Sequence, residues 1–301
     1  MALVGVLTPT FNRAYCLDNV YKSLLKQTSK SFKWYVVDDG SFDNTETLVK
    51  SFIAEKTFEI EYIKKSNGGK HSALNIGINA IKEELTIIVD SDDELTADAI
   101  ETIEKDYEDI KNREDVAGLG YLISDKNSGD VVGRKYTADR RIDYFVKERI
   151  NRNTYGDKRE VWKTEILKRY PFPVFPDEKF ISEAVVWCKI SLDYKMLFIN
   201  KSIYLCEYLE DGLSKNIHKA LFNNPNGATE CYRIMSGKQT NLKYRFKYTI
   251  AFAVYAFAAK IGFKQQIKMV SSKAIYLMTF WFAYLIYLKK KKNLNKENLV
   301  G

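Results

Sequence analysis

Histidine and cysteine are scarce in this chain of 301 residues, which contains two histidines and four cysteines. The cysteines are widely separated and form no C-x-x-C pair; they are Cys16, Cys188, Cys206 and Cys231. This spacing argues against a thiolate zinc site and a disulfide scaffold, and it fits a reducing compartment. Residues 1–7 contain neither a basic segment nor a small-residue cleavage site, so we expect a cytosolic location.

The net charge of +8 suggests an anionic partner, which is a nucleic acid, a nucleotide or a membrane surface. Much of the positive charge lies late in the chain, in Lys260–Lys273 and Lys289–Lys292, beside apolar aromatic segments. This arrangement favours a membrane surface. No nucleic-acid-binding motif accompanies the basic residues, so no nucleic-acid partner is expected.

Strand-then-helix units of roughly thirty residues repeat four times in the first part of the chain. The predicted strands are 3–7, 34–37, 59–64 and 85–89, and the predicted helices after the first three are 17–27, a segment ending at Phe52, and 71–81. This alternation predicts a parallel α/β sheet. Hydrophobic residues make up 46% of the chain, which is enough for a sizeable core around such a sheet. Further on, 117–132 indicates two strands joined by a turn, and 140–150 indicates an exposed charged helix.

Each predicted strand ends in residues suited to a nucleotide, and in parallel sheets the ligand lies beyond these ends. The four endings are TPTFNR from Thr8, DDGS from Asp38, NGGK from Asn67 and DSDDE from Asp90. The last places four carboxylates within five residues, which favours either open water or a shared cation. Mg²⁺ or Mn²⁺ suits oxygen ligands and a diphosphate, whereas the alternative is an acidic turn before a helix starting near Thr96.

In order and spacing, the motifs TPTFNR, VVDDGS, NGGK-x4-N and VDSDDE resemble the nucleotide-binding half of family 2 glycosyltransferases, which are inverting enzymes with the GT-A fold. The resemblance covers roughly residues 3–215. It implies an α/β fold with a mostly parallel central sheet flanked by helices. We predict a GT-A domain at 1–225, with a donor half at about 1–95 and an acceptor half at about 96–225, followed by a helical region at 226–301.

The resemblance also implies a UDP-sugar donor and assigns residues to it. Asp39 would accept a hydrogen bond from the uracil N3–H, Lys70 would neutralise a phosphate, and Asn75 would cap or brace the glycine loop. Thr8, Pro9 and Thr10 would line the base pocket. The predicted donor-binding residues are Thr8, Pro9, Thr10, Asn12, Arg13, Asp39, Lys70, Asn75, Asp90 and Ser91.

For the metal, the resemblance implies that one aspartate of the D-x-D motif holds Mn²⁺ or Mg²⁺ and another contacts the ribose. Asp92 is the first choice as metal ligand and Asp93 the second, although the sequence does not distinguish them. His218 follows a segment, Glu207–Asn216, that resembles a loop closing over the donor. It is a further metal candidate, with an ordinary exposed histidine as the alternative.

Glu183 stands directly before an apolar helical segment, where a single carboxylate ordinarily serves only as a favourable helix charge. In most of the family, this position carries an E-D pair that supplies the general base. Ala184 replaces the second carboxylate here, which leaves Glu183 as the predicted base and Asp177 with Glu178 as the fallback. The same departure supports a rival hypothesis, a catalytically silent nucleotide-sugar-binding subunit.

The composition shifts after Asn226, and the segments 242–263 and 274–288 are rich in aromatic residues and alanine. Fifteen apolar residues in 274–288 fall short of the roughly twenty that a spanning helix needs. We predict an interfacial, membrane-associating helix pair, and the alternatives are a hairpin packed on the catalytic domain or an oligomer interface.

Together these features predict a metal-dependent, inverting glycosyltransferase of the hexosyltransferase type. The expected acceptor is a hydroxyl of a membrane-linked glycan used for capsule or exopolysaccharide, at the cytoplasmic face of a bacterial plasma membrane. Polyprenyl phosphate and a teichoic-acid-like polymer are the alternative acceptors.

Overall fold

The computed structural model describes residues 2–207 and 217–300, without the side chains of residue 218 and residues 294–300. Most of the predicted donor-closing loop, Glu207–Asn216, therefore lies outside the described residues. So does the side chain of His218, and its predicted metal role stays a prediction.

The chain divides into two compact units. The first contains Met1–Phe172 and Ile190–Tyr208, and the second contains Pro173–Lys189 and Leu209–Gly301. This division differs from the predicted boundary after residue 225, because the segment that begins at Pro173 belongs to the second unit.

The first unit begins with alternating strands and helices. Their bounds are β1 Val4–Thr10, α1 Leu17–Leu25, β2 Phe32–Asp38, α2 Thr45–Glu55, β3 Ile60–Lys64, α3 Lys70–Ala80 and β4 Leu85–Ile88. The four strands pair in parallel in the order β3-β2-β1-β4. The parallel α/β sheet predicted from the apolar runs is confirmed.

Helices cover both faces of these strands, because their side chains alternate between two apolar surfaces. Val6, Trp34 and Ile87 belong to the core cluster on one face, together with residues of α1 and α2. On the other face, α3 approaches so closely that a Cβ on Gly77 would lie 2.2 Å from Leu7 Cδ1. The lack of a side chain at Gly77 therefore lets α3 lie this close to β1.

The sheet continues with antiparallel and mixed pairing. The remaining elements as far as Cys206 are β5 Glu94–Leu95, α4 Ala99–Tyr107, β6 Val116–Asp125, β7 Arg141–Asp143, a π-helix Val146–Asn151, β8 Lys158–Lys163, α5 Thr164–Lys168, α6 Ala184–Asp193 and β9 Lys195–Cys206. Among the described residues the full strand order is β3-β2-β1-β4-β8-β6-β9-β5, with β7 paired to β9. β8 is antiparallel to both of its neighbours, β4 and β6.

The predicted exposed helix at 140–150 is wrong. Three of its residues form β7, and those from Val146 onwards enter the π-helix, in which Val146, Glu148 and Ile150 are buried. Glu148 is fully buried because its carboxylate accepts hydrogen bonds from Thr137 and Thr154. Partners on the segments just before and just after the π-helix thus compensate a charge that the helical pattern assigned to solvent.

The second unit is helical in its later part. Its helices are α7 Ile217–Asn223, α8 Pro225–Met235, α9 Leu242–Ala258, α10 Phe263–Met269 and α11 Lys273–Val300. α9 and α11 share a buried cluster that includes Phe252, Ala256, Tyr276 and Ala283. In the described part of the chain, no helix combines the length and apolar character needed to cross a bilayer.

Candidate functional site

The acidic turn lies directly after β4, at the carboxyl ends of the parallel strands. The Asp93 backbone N–H donates to the Asp90 carbonyl at 3.1 Å, which closes the turn. Lys70 Nζ, at the start of α3, lies 2.5 Å from Asp90 Oδ1. Arg13, which follows β1, interacts electrostatically with Asp92. Three strand endings that are far apart in sequence therefore meet at one place.

Charge governs this turn. Burial alone would raise the pKa of Asp90, but the positive charges of Lys70 and Arg159 outweigh it and lower that pKa to about 2. Burial, and then the negative charge of Asp90, raise the pKa of Asp92. The same two causes raise the pKa of Asp93 to about 7. Asp90 is therefore held ionised by its cations, while Asp93 is the carboxyl that most resists ionisation.

Two buried residues that the sequence analysis missed contact the turn. Arg159 on β8 places its guanidinium 3.7 Å from the ring centroid of Tyr204 and 3.5 Å from Asp90 Oδ2. Tyr204 on β9 donates its hydroxyl hydrogen to Asp93 Oδ2 at 2.8 Å. No strand was predicted at Lys158–Lys163 or at Lys195–Cys206, so no sequence signal pointed to either residue.

Asp39, directly after β2, organises the glycine loop. Its buried carboxylate accepts hydrogen bonds from Lys65 Nζ at 2.6 Å, Asn67 Nδ2 at 3.0 Å, Gly68 N at 2.9 Å and Gly69 N at 2.7 Å. An ionised carboxylate has about four acceptor positions, so these donors use them fully. A uracil N3–H would reach Asp39 only when one donor, such as Lys65, leaves.

Hydrogen bonds to the turn after β2 hold the segment that follows β1. Asn12 adopts a left-handed conformation with φ 53°, and its backbone N–H donates to Ser41 Oγ at 2.8 Å. The Ser41 backbone N–H donates to Asp38 Oδ1 at 2.7 Å. Asn12 thus ties the end of β1 to the turn after β2. Next to it, the Arg13 guanidinium donates to the Tyr15 hydroxyl.

The predicted base-pocket residues of β1 have different surroundings. Thr8 is fully buried and accepts a hydrogen bond from Trp34 Nε1 at 2.9 Å, so its hydroxyl faces the core, and its base-pocket role stays a prediction. Pro9 is a buried strand residue paired in register with Val37. Thr10 is buried at the strand end, and its Oγ1 has no hydrogen-bond partner among the described residues. Thr10 remains the β1 candidate nearest the site.

Asn75 is hydrogen-bonded through both ends of its amide. Its Nδ2 donates to the Phe172 carbonyl at 2.9 Å, and its Oδ1 accepts from the Phe172 N–H at 2.8 Å. The amide therefore braces the Phe172 backbone, and the donor-binding role of Asn75 stays a prediction. Ser91, by contrast, is a buried member of the acidic turn itself.

The predicted base and its fallback belong to the second unit. Glu183 is half-buried, and its carbonyl accepts from Val186 N at 2.9 Å in the first turn of α6. Glu178 is buried, and its carboxylate accepts from the backbone N–H groups of Asn226 at 2.7 Å and Gly227 at 2.8 Å. Glu178 is thus committed to the N-terminus of α8.

The carboxylates fit a metal that arrives with phosphate oxygens. Among residues 2–207 and 217–300, wherever side chains are described, no three His, Cys, Asp or Glu side chains group as a complete metal site. Asp92 is half-buried and adjacent to Asp93. One or two carboxylates completed by diphosphate is the ligand set that Mg²⁺ usually takes in nucleotide-using enzymes.

A parallel α/β sheet whose strand ends gather an acidic turn, a cationic glycine loop and an arginine defines a nucleotide-sugar transferase of the GT-A type. The model of the family described as Glycosyl transferase family 2 matches residues 5–169, which is more than half of the 301 residues. The chain belongs to glycosyltransferase family 2.

Relatives with curated names are bacterial. Glycosyltransferase GlyG of Streptococcus pneumoniae serotype 4 is 27% identical over 67% of this chain and 70% of that protein. GlyA of the same organism is 24% identical over 70% of this chain, but the match spans 31% of GlyA. The GalNAc(5)-diNAcBac-PP-undecaprenol beta-1,3-glucosyltransferase of Campylobacter jejuni is 26% identical over 73% of this chain and 71% of that protein.

Two solved structures share the fold. TarS of S. aureus, in complex with UDP-GlcNAc, superimposes with a TM-score of 0.62 at 16% identity and covers 96% of this chain and 92% of that one. The mannosyltransferase PcManGT from Pyrobaculum calidifontis, in complex with GDP-Man and Mn²⁺, gives a TM-score of 0.57 at 17% identity, over 98% and 88%. The predicted GT-A fold with a C-terminal helical region is confirmed.

Proposed function

We propose that this glycosyltransferase uses a UDP-sugar donor and a divalent metal, Mn²⁺ or Mg²⁺. The observation that carries the proposal is the meeting of Arg13, Lys70 and the turn Asp90–Asp93 at the carboxyl ends of β1 and β4. Cations beside carboxylates suit a ligand that brings both a diphosphate and a metal. The choice of UDP draws on the motif resemblance and on TarS, whose structure contains UDP-GlcNAc.

Within this proposal, each residue at the strand ends has a role. Lys70 and Arg13 bind phosphate oxygens, and Asp39 recognises uracil after Lys65 leaves its carboxylate. Asp90 and Ser91 lie closest to the ribose. Asp92 is the principal metal ligand, with Asp93 beside it, and His218 is a further candidate. A bound divalent ion would offset the negative charge that develops on the departing UDP.

The proposed chemistry is a single displacement at the anomeric carbon. Glu183 takes the proton of the acceptor hydroxyl, and that oxygen attacks from the side opposite the diphosphate. The configuration therefore inverts. Glu183 is assigned this role because Ala184 removes the neighbouring carboxylate and Glu178 is committed to α8. Replacing Glu183 by Gln is expected to abolish sugar transfer and leave UDP binding intact.

The proposed acceptor is a membrane-linked glycan, used for capsule or exopolysaccharide at the cytoplasmic face of the plasma membrane. Support comes from the exposed apolar residues of α11 and the lysines that follow them. The name of the Campylobacter jejuni relative, which specifies an undecaprenol-linked acceptor, points in the same direction. Polyprenyl phosphate and a teichoic-acid-like polymer are the alternative acceptors within the same chemistry.

The donor assignment is tested by thermal unfolding with UDP or GDP, with and without Mn²⁺, on the wild type and on Asp92→Asn. A ligand at a hundredfold excess over its Kd stabilises the folded state by about 2.7 kcal/mol. Because the assay measures binding and not sugar transfer, it needs no acceptor. We expect UDP with Mn²⁺ to raise the Tm of the wild type. GDP should give a smaller shift, and Asp92→Asn should lose the Mn²⁺-dependent part.

Asp130→Asn, in an exposed turn, is the matched control, because it removes one carboxylate away from the acidic turn. It should respond to UDP and Mn²⁺ like the wild type. A larger Tm rise with GDP would replace UDP by a guanine nucleotide. No response to either nucleotide would contradict the proposed donor site.

A further inference from the structure

Arg159 is a charged side chain in the interior of the first unit. Only 8% of the residue is exposed, although it lies in β8, next to β4 in the sheet. Its Nη1 donates to the carbonyl of Ile88, the last residue of β4, at 2.9 Å. The guanidinium is therefore anchored at the point where the acidic turn begins.

From this anchor, the guanidinium reaches two carboxylates of the turn. Nη2 lies 3.5 Å from Asp90 Oδ2 and 4.0 Å from Asp93 Oδ2. The guanidinium also packs on the ring of Tyr204, with Arg159 Cζ 3.7 Å from the ring centroid. A lysine cannot reproduce this set of contacts, because an ammonium lacks the planar fork that stacks and donates in two directions at once.

Tyr204 completes the support from β9. Its hydroxyl donates to Asp93 Oδ2 at 2.8 Å and accepts from the Asp90 backbone N–H at 3.0 Å. The first and last residues of the turn are thus tied to one phenol. Because Tyr204 is fully buried, these bonds do not compete with water.

Without such support the turn is expected to spread apart, since Asp90, Asp92 and Asp93 repel one another. Lys70 restrains Asp90 from the side of α3 at 2.5 Å. Arg159 lies against both Asp90 and Asp93. Partners of metal-binding carboxylates in this position fix ligand orientation.

We propose that Arg159, together with Tyr204, is a positioning residue that holds the acidic turn in the geometry required by the metal-bound diphosphate. The inference rests on the proposed donor site, but it concerns residues outside the family motifs that identified that site. Arg159 acts through Asp90 and Asp93 and need not contact the nucleotide.

The test is calorimetric binding of UDP with and without Mn²⁺, and its readout is the factor by which Mn²⁺ tightens UDP binding. The variants are Arg159→Gln, Arg159→Lys and Tyr204→Phe. Arg113→Gln is the matched control, since Arg113 pairs with Asp115 in an exposed ion pair. A general loss of stability lowers the Tm but leaves this factor unchanged, so the readout separates positioning from folding.

We expect Arg159→Gln to lower the factor by about tenfold or more, the range found for residues that orient metal ligands. Arg159→Lys should recover only part of it, and Arg113→Gln should match the wild type. Tyr204→Phe keeps the ring beneath Arg159 and removes only the hydroxyl, so it tests the inference even if Arg159→Gln does not fold. It should also lower the factor.

A wild-type factor in both Arg159→Gln and Tyr204→Phe would overturn the inference and leave the donor site in place. A larger factor in Arg159→Gln would also overturn it, because Arg159 would then act as a cation competing with the metal. Full recovery in Arg159→Lys would show that charge alone suffices. Absence of UDP binding by the wild type would instead refute the proposed function, and this inference with it.

Discussion

Asp93 is an acidic side chain held almost out of solvent beside a second carboxylate. Burial and the negative charge of Asp90 raise its pKa to about 7, whereas in an unfolded chain it lies at about 3.9. Between these values the folded state binds more protons than the unfolded state. The stabilisation that Asp93 contributes is therefore present below about pH 4 and is lost as the pH rises towards about 7.

We expect Asp93→Asn to raise the free energy of unfolding at pH 8 by on the order of 2 kcal/mol, because the neutral amide avoids this cost. Its oxygen can still accept from Tyr204. At pH 4 the gain should nearly vanish. Urea unfolding at both pH values measures the difference, with Asp130→Asn as the control. Destabilisation at pH 8 would show that the interaction with Arg159 outweighs the cost of burial.

Asp39 tests a different balance, between structure and recognition. Gly68 N–H donates to one carboxylate oxygen and Gly69 N–H to the other, so the NH2 group of an Asn would face one of these donors in either orientation of the amide; Asp39→Asn should therefore cost about 2 kcal/mol of stability and loosen the loop that carries Lys70. Lys65→Met leaves three donors on Asp39 and opens the position proposed for uracil. We expect it to retain UDP binding, as measured by calorimetry, whereas Asp39→Asn should lose it. Loss of binding in both variants would contradict the exchange of Lys65 for uracil.

At the residue scale, the sequence predicted which side chains lie together where they belong to one short motif. The motif containing Asp90 and Asp92 was recognisable because its carboxylates are neighbours in the chain. Tyr204 and Asp93 are 111 positions apart, and no local pattern links them. For Thr8, the motif does not reveal which face of the sheet its hydroxyl takes, and the structure turns that hydroxyl towards Trp34.

A close approach of two strands gives the element-scale prediction. A Cβ on Gly118 of β6 would lie 2.1 Å from the Val161 carbonyl oxygen and 3.1 Å from Trp162 Cα, both on β8. The backbone cannot rotate away as a side chain can, so Gly118→Ala must separate the strands. We expect a loss of about 3 kcal/mol, measured by urea unfolding.

Gly262→Ala is the control, because a Cβ there meets nothing within 4 Å and the residue precedes α10 with φ −67°. Its stability should stay within about 0.5 kcal/mol of the wild type. Since β8 carries Arg159, Gly118→Ala should also weaken UDP binding in the presence of Mn²⁺. A fully stable Gly118→Ala would mean that β6 and β8 can separate at little cost.

Elements were predictable where the apolar pattern is unambiguous. The runs that form β1, β2 and β4 are buried on both faces, and a helix follows each of the first three strands. β8 is antiparallel to β4, and neither this direction nor its place in the sheet follows from the pattern of Lys158–Lys163. The two-residue strand β5 is set by its pairing with β9, which begins about a hundred residues later.

At the scale of the whole molecule, the composition and the division of the chain change at different places. The shift after Asn226 is close to the start of α8, but residues from Pro173 already belong to the second unit. That segment has ordinary composition, so its membership depends on packing alone. The net charge of +8 likewise predicted an anionic partner but not where on the surface that partner would bind.

α11 presents one apolar face to solvent over more than two turns. Leu277, Trp281 and Leu285 are 54%, 73% and 63% exposed, and they lie four residues apart on the helix. Lys289–Lys292 follow directly. Near an anionic surface each lysine contributes about 1 kcal/mol, and an exposed apolar patch of this kind marks an interaction site. If α11 contacts a membrane as proposed, vesicle binding should need both its apolar face and anionic lipid.

We expect the protein to co-sediment with phosphatidylglycerol vesicles more than with phosphatidylcholine vesicles, and less as salt is raised. Trp281→Asp should weaken this binding without lowering the Tm, because the side chain is exposed in the wild type. Leu192→Asp, at a 51% exposed position of α6, is the matched control and should bind like the wild type. If Trp281→Asp instead dissolves a concentration-dependent oligomer and no vesicle binds the wild type, the face of α11 is an interface between copies of the chain, and the proposed membrane contact is wrong.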